Sequence, residues 1–220
     1  MTDQQPSERT KVSRYSGRGI YQRDEIYSLL DKSFLCQVGY TINGEARVLP
    51  NAYVRVDDAL YLHGHLQNQM LNALLDGQTA CISMTLLDWL VLARTGFNHS
   101  VNYRSVTVFG KAERVEENKA EILDVFINHI VPGRAPTIRA ATPQELNATL
   151  LIKIPIDEAV AKVRSGPPKD KDSDYENGIW AGVINLNTLA ESVEPCPQLE
   201  ANIPMPQHIE SFMTQISLFE

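Results

Sequence analysis

Hydrophobic residues recur along this chain with two periods, and the switches between them outline its elements. From Phe34 the apolar positions Phe34, Cys36, Val38 and Tyr40 alternate with Gln37, Gly39 and Thr41, the spacing of a strand with one buried face. Asn43-Gly44 interrupts the alternation. Both central positions of a two-residue hairpin turn need positive φ, so the chain is predicted to fold back there. Ala46 to Val56 reads as the returning strand, with Pro50 placing part of it at a sheet edge or a bulge. Asp57-Asp58 marks another turn, and Ala59 to His63 a third strand. A helical period appears at Asp24 to Asp31, where Ile26, Leu29 and Leu30 follow acidic residues suited to a helix start. It returns at Gln67 to Leu75, with Met70, Leu71, Leu74 and Leu75 on one side and Gly77 in the stop position.

In the second half, Thr79 to Leu87 and Trp89 to Ala93 read as strand, broken near Asp88, and Tyr103 to Val115 as a long β-branched strand. Ile122, Phe126 and Ile130, spaced by four with Leu123 and Ile127 alongside, predict a helix that must end before Pro132-Gly133. Residues 134–144 read as loop, Leu150 to Ile156 as strand, residues 166–175 as an exposed loop, and Trp180 to Leu186 as a last strand. Beyond Asn187 come Pro195, Pro197, Pro204 and Pro206, which predict an extended tail ending in a short amphipathic piece, His208 to Phe219. This order predicts a mainly antiparallel β fold with a few helices. Spacing alone leaves a closed or split barrel and an α+β sandwich both open.

The length of 220 residues suits one domain with extensions: a polar tail over 1–19, a domain over 20–187 and a proline-rich extension over 188–220. The formal net charge of −7 argues against nucleic-acid binding unless a local basic patch overcomes it. The densest basic stretch, Lys11 to Arg23, is interrupted by polar and aromatic residues. No apolar run approaches the ~20 residues that span a bilayer, and the first residues lack an apolar signal core, so a cytoplasmic protein without a membrane partner is expected. Cys36, Cys81 and Cys196 are odd in number and widely spaced, which matches neither a disulfide framework nor a zinc pattern; no metal site is expected.

Three stretches carry polar chemistry. Ala93 to Ser105 holds Arg94, His99, Asn102, Arg104 and Ser105 directly before an apolar strand. Arginine matches phosphate oxygens bidentately, so this stretch reads as an anion or cofactor site, or equally as a solvated loop with capping side chains. Tyr61 to His65 ends a strand before a helix. Gly64 would admit a ligand to the backbone there, although a plain strand-to-helix turn accounts for His65. The third is Ala161 to Pro168, with Lys162 and Arg164, followed by Trp180, a ring that stacks on a flat ligand or packs in a core.

Residues 88–115, DWLVLARTGFNHSVNYRSVTVFGKAERV, resemble the signature of a flavin-nucleotide-binding branch of the pyridoxamine 5'-phosphate oxidase-like family, which also includes nitroimidazole-resistance reductases. CQVGYTINGEARVLPNAYV, YLHGH, HIVPGR, ELNATL, AKVRSGPPKD and WAGV extend the resemblance in the same order over roughly residues 20–187. The resemblance implies a six-stranded antiparallel split β-barrel, a homodimer, FMN in preference to FAD between the subunits, and a small-molecule substrate. By it, Arg47, Leu49, Pro50 and Asn51 lie beside the flavin ring, and His63, Gly64 and Asn68 sit near the phosphate. Arg94, Asn102, Tyr103, Arg104 and Ser105 contact cofactor from the next strand. Lys162 and Arg164 are counted with them, and Trp180 lies at the flavin edge. His63 and His99 are the catalytic candidates. The family's turn after the His-Gly pair usually carries a serine and a basic residue; this chain has His65, Asn68, Gln69 and Met70 there, which implies weaker flavin binding or charge supplied by Arg94 and Arg104. Trp89 stands where the family has a small residue. No carboxylate pair or nucleophile triad appears, so hydrolysis is not expected. An FMN-dependent oxidoreductase is the expectation, with a non-catalytic flavin carrier or sensor as the alternative and pyridoxamine 5'-phosphate oxidation ranked third.

Overall fold

The computed structural model describes residues 5–200 and 202–214. The first long elements follow the hydrophobic pattern. Helix α1 (Arg23–Leu30) buries Ile26, Tyr27, Leu29 and Leu30, and strand β2 (Leu35–Ile42) buries Cys36, Val38 and Tyr40 on one face. Asn43 at φ 53° and Gly44 at φ 81° make the predicted hairpin turn, which fixes the register from Ile42↔Glu45 to Leu35↔Ala52 with strand β3 (Glu45–Val56). Tyr53 to Val56 of β3 pair instead with β4 (Ala59–His65). Pro50 therefore falls in the half of β3 bonded on one side alone, where its missing N–H costs nothing.

Helix α2 (Gln69–Leu75) leads to the long strand β5 (Thr79–Leu92), which pairs with β6 (Ser100–Lys111). The register slips between Leu87 and Trp89, so Asp88 is the extra residue of a β-bulge, at the break that the sequence predicts. Past Ala112 the chain continues as β7 (Glu113–Arg114), and then as helix α3 (Lys119–Ile130), α4 (Pro143–Ala148), β8 (Thr149–Pro155) and β9 (Glu158–Arg164). A two-residue strand β1 (Gly19–Ile20) pairs with β9, and β10 (Gly182–Asn185) pairs with the end of β5. A last helix, α5, spans Gln207–Met213; the part of the predicted terminal amphipathic piece beyond residue 214 lies outside the described residues.

All these pairings are antiparallel, in the order β1-β9-β6-β5-β2-β3-β4-β8-β7 with β10 on β5. The mainly antiparallel β fold stands, but the six-stranded count does not: ten strands form one sheet among the described residues, and its hydrogen-bonded order is open. Three of the additional strands are short, β1 and β10 at the margins and β7 beyond a break in β6. Because β7 continues β6, pairing Glu113↔Lys153 and Arg114↔Ile152 bends the far end of the sheet back toward its middle. One core fills the curl, with Tyr53, Leu60, Leu62, Ile82, Met84, Val106, Val108, Ile152 and Ile154 pointing inward from five strands. On the opposite face of β3 and β8, Val54 and Leu151 pack under Phe126 of α3. Burial on both faces explains the unbroken apolar run Leu150 to Ile152.

Two elements escape the hydrophobic pattern. The inward positions of β9 are Ala159 and Ala161, too small to mark an alternation among its charged residues. Helix α4 opens on a capping box, Thr142 Oγ1 accepting from the Glu145 N–H while the Glu145 carboxylate accepts from the Thr142 N–H, a signal present in the sequence as Thr-Pro-Gln-Glu. The predicted strand from Trp180 to Leu186 shortens to Gly182–Asn185. No helix among the described residues is long and apolar enough to cross a membrane.

The curl brings β6 against β8 at Gly110, where a Cβ would stand 2.6 Å from the Pro155 carbonyl oxygen and 2.8 Å from Ile154 Cγ2. Gly110→Val is expected to destabilise the protein by about 1–3 kcal/mol through overpacking against a backbone that cannot give way. A urea midpoint equal to that of the unsubstituted protein would refute this.

Candidate functional site

The bulge at Asp88 and the start of β6 shape a cleft of about 540 Å³ between β5, β6 and the end of β9. Thr85 to Trp89, Asn102, Arg104, Val163 to Ser165 and the chain after β10 form its walls. A bulge re-aims the side chain it carries, and here it aims Asp88 at Arg104. Arg104 Nε lies 3.1 Å from both carboxylate oxygens, and Nη2 lies 2.7 Å from Asp88 Oδ1. The Leu186 N–H donates to the Asp88 carbonyl at 2.8 Å, which holds the chain after β10 against the bulge.

Asn102 is 2% exposed, and its amide is satisfied at both ends. Its Nδ2 donates to the Gly166 carbonyl at 3.0 Å, and its Oδ1 accepts from Arg164 Nη1. The same Arg164 nitrogen lies 3.4 Å from the Val101 carbonyl. Both acceptors are neutral, so Arg164 keeps its full charge at the cleft, and among the described residues it forms no ion pair. Burial, followed by the nearby charge of Arg18, presses the Arg164 pKa downward.

The other predicted site residues are dispersed. Ser105 Oγ donates to the Lys162 carbonyl at 3.2 Å, tying β6 to β9, and Tyr103 pairs with Arg164 across the same strands. Arg94 bonds Asp170 through its N–H at 3.1 Å and Nη1 at 3.2 Å, and lies over the Tyr175 ring. It anchors the loop after β9. His99 is exposed, with Nδ1 2.8 Å from the Thr95 carbonyl. Trp180 is 70% exposed. Arg47, Leu49, Pro50 and Asn51 line the one-sided half of β3, where Leu49 is exposed and Arg47 meets Gln69 at 3.3 Å and Glu45 at 3.6 Å. Asn68 caps α2 by accepting from the Leu71 N–H at 3.0 Å, and Gly64 admits the Asn68 and Leu71 side chains, to which a Cβ would come within 3.1 Å. Of the predicted set, the structure thus gathers Asn102, Arg104 and Arg164 at the cleft. Asp88, Trp89 and Thr85 join them. An acidic residue inside an apolar strand was the one sequence signal for this.

His63 lies on the other face of β4, under α3. It borders a second cavity of about 590 Å³ lined by Leu123, Phe126, Ile127, Ile130 and Ile138, with Arg139 and Glu145 among its polar walls. The His63 ring meets Phe126 edge-on at 4.6 Å, and its Nδ1 is buried without a hydrogen-bond partner. Burial lowers its pKa, so the neutral imidazole is favoured.

An antiparallel sheet curled over one core, with an arginine-bearing cleft where its central strands meet, defines the class of fold. The chain belongs to the pyridoxamine 5'-phosphate oxidase family, whose sequence description matches residues 22–163. It is similar to the flavocytochrome Anf3 from Azotobacter vinelandii, at 36% identity over 95% of this chain and 98% of that one, with a TM-score of 0.89. It is also similar to the FAD and haem binding protein from Mycobacterium smegmatis, at 34% identity over 89% of this chain and 97% of that one, with a TM-score of 0.85. A 5-nitroimidazole antibiotic resistance protein from Bacteroides thetaiotaomicron shares the fold at 24% identity over 66% of this chain and 86% of that one, with a TM-score of 0.56. No curated protein sequence matches the chain.

Asn102→Ala leaves the Gly166 carbonyl without its donor and takes from Arg164 one of its two acceptors, and is expected to cost about 1–3 kcal/mol. His99→Ala, at an exposed position, should stay within about 0.5 kcal/mol. Chemical denaturation of both variants checks the contrast, and equal losses would contradict it.

Proposed function

We propose that the protein is a flavin-dependent oxidoreductase whose flavin occupies the cleft at Asn102, Arg104 and Arg164. The observation that carries this reading is the meeting of these three side chains, predicted as cofactor-binding from sequence, in one cleft of about 540 Å³. The relatives named for a flavocytochrome and for FAD binding support it, and they put FAD beside FMN as the candidate nucleotide.

The residues fit such a ligand. Arg164 presents a cation held by neutral acceptors, so a phosphate meets no competing carboxylate on it. Arg104 is braced by Asp88, which fixes the plane of its guanidinium at the wall of the cleft. Trp89 and Leu86 to Leu87 supply apolar wall for a flat ring. When bound, the flavin supplies hydride or electron transfer. The chain binds and orients the nucleotide and shields it from water. A second copy of the chain is part of the proposal: Leu35, Val48 and Leu49 are 47%, 64% and 46% exposed around the one-sided half of β3, an apolar strand edge that a partner would cover.

A second reading concerns haem. The two relatives at 36% and 34% identity are named for a flavocytochrome and for haem binding. His63 borders a largely apolar cavity, carries an unpartnered buried ring nitrogen and is kept neutral by burial, which is what an axial ligand requires. Bound there, haem would supply one-electron chemistry, held by His63 among Leu123, Phe126 and Ile127.

Absorption spectroscopy of the purified protein tests both readings. Oxidised-flavin bands are expected, with flavin retention lowered about tenfold or more by Arg164→Ala or Arg104→Ala. Saturating FMN and FAD that both leave the melting temperature unmoved would sink the flavin reading. With haem supplied, a Soret band is expected that His63→Phe removes while the flavin bands persist. Steady NAD(P)H consumption with an added acceptor separates an enzyme from a passive carrier.

A further inference from the structure

The cavity of about 590 Å³ beside His63 has two kinds of wall. Its inner side is built on β4 and α3 by His63, Phe126 and Ile127, and its outer side is one stretch of chain, Ile138 to Ala141, with Glu145 beside it. That stretch belongs to the connection from α3 to β8, which runs through a 3-10 turn (Ala135–Thr137), an irregular segment over 138–142, and α4. Both ends of the connection are tied down. The Ala135 N–H donates to Asn128 Oδ1 of α3 at 3.0 Å. At the other end Lys119 Nζ donates to the Leu146 and Thr149 carbonyls at 3.3 and 3.1 Å, and the Leu66 N–H donates to the Ala148 carbonyl at 3.1 Å. Between these anchors, from Pro136 to Thr142, every hydrogen bond and ion pair among the described residues stays within 134–146. A segment so weakly tied to the body opens at low cost.

Arg139 holds the middle of the span down. Its Nη1 and Nη2 meet the two carboxylate oxygens of Glu145 at 2.8 and 2.5 Å, a bidentate fork that docks 138–142 on the first turn of α4. Glu145 is fixed for this by a second duty, since the same carboxylate accepts from the Thr142 N–H in the capping box. The Arg139 fork, helped by the Thr142 bonds, holds the Glu145 pKa down at about 2, so the pair is charged at neutral pH. Its two side chains are 70% and 48% exposed, which leaves it open to screening by salt. The span adds only a small apolar face, with Ile138, Ala140 and Ala141 toward the cavity and Ile138 itself 39% exposed.

We propose that residues 136–142 are a lid on the His63 cavity, latched by Arg139 on Glu145, so that ionic strength sets how readily the cavity is reached. The anchors at Ala135 and at the end of α4 are its fixed points, and α4 is the catch. Opening breaks the one fork and lifts three small apolar contacts, while the sheet and α3 stay in place. The lid serves whatever occupies the cavity. Haem is one such occupant, and the lid does not depend on it.

The test is the rate at which diethyl pyrocarbonate carbethoxylates each histidine of the full-length protein, read by mass spectrometry. The reagent attacks neutral imidazole, the form that burial favours at His63. Exposed His99 is the reference for reagent activity, and His129, bonded to the Ser33 carbonyl at 2.9 Å, reports any general loosening of α3. At low salt His63 is expected to react more slowly than His99. Arg139→Gln should speed His63 about two- to fivefold, the range that one exposed ion pair allows, and leave His99 and His129 unchanged. About 0.5 M sodium chloride should speed His63 in the unsubstituted protein and not in the variant. Equal His63 rates in the two proteins, the same salt response in both, acceleration of His129 alongside His63, or a His63 as fast as His99 at the outset each overturn the lid. Haemin added beforehand separates the two inferences: if it fails to slow His63 while the variant and salt effects hold, the lid stands and the haem reading falls.

Discussion

A buried amide has two ends, and both must find partners. Asn102 meets that requirement by donating to the Gly166 carbonyl and accepting from Arg164, so one side chain on β6 ties together the end of β9 and the loop that follows it. The consequence reaches beyond stability. Arg164 is a long, flexible cation, and without a fixed acceptor it would extend into water. Anchored on Asn102 and the Val101 carbonyl, it stays at the cleft with its charge uncancelled. Arg104 is placed by the opposite device, a carboxylate delivered by a bulge. The cleft therefore holds one neutralised arginine that shapes its wall and one charged arginine that can meet an anion.

The curled sheet puts these groups to use by separating its two faces. Inward positions are filled mainly by aliphatic side chains, and the buried Tyr53 hydroxyl donates to the Leu30 carbonyl. Chemistry is confined to the places where strands overrun their partners. The cleft forms where β5 and β6 run beyond the pairing with β2, which ends at Ser83. The His63 cavity forms where α3 stands off the outer face of β4 and β8, leaving room beside Phe126.

Much of this was legible one residue at a time. Asn43-Gly44 announced its turn because few residue pairs tolerate two positive φ values in succession. The break at Asp88 showed because an acid interrupts an apolar run. Arg104, Asn102 and Arg164 were marked by polar density beside apolar strands. Strand β9 was not legible, since alanine at its inward positions conveys no amphipathic contrast. Nor was the role of Asn68, whose side chain spends its acceptor on capping α2.

The sequence by itself determined most of the elements, the antiparallel character and the family, because turn chemistry, hydrophobic period and motif order are local properties of the chain. Only the tertiary structure decided which polar residues share a site. It set Asp88 on Arg104, sent His63 to the opposite face from the cleft and left Arg47 to Asn51 on a separate edge. Those outcomes depend on strand register and on the curl of the sheet, where residues 16 to 64 positions apart in the chain become hydrogen-bond partners, and no local pattern encodes that pairing.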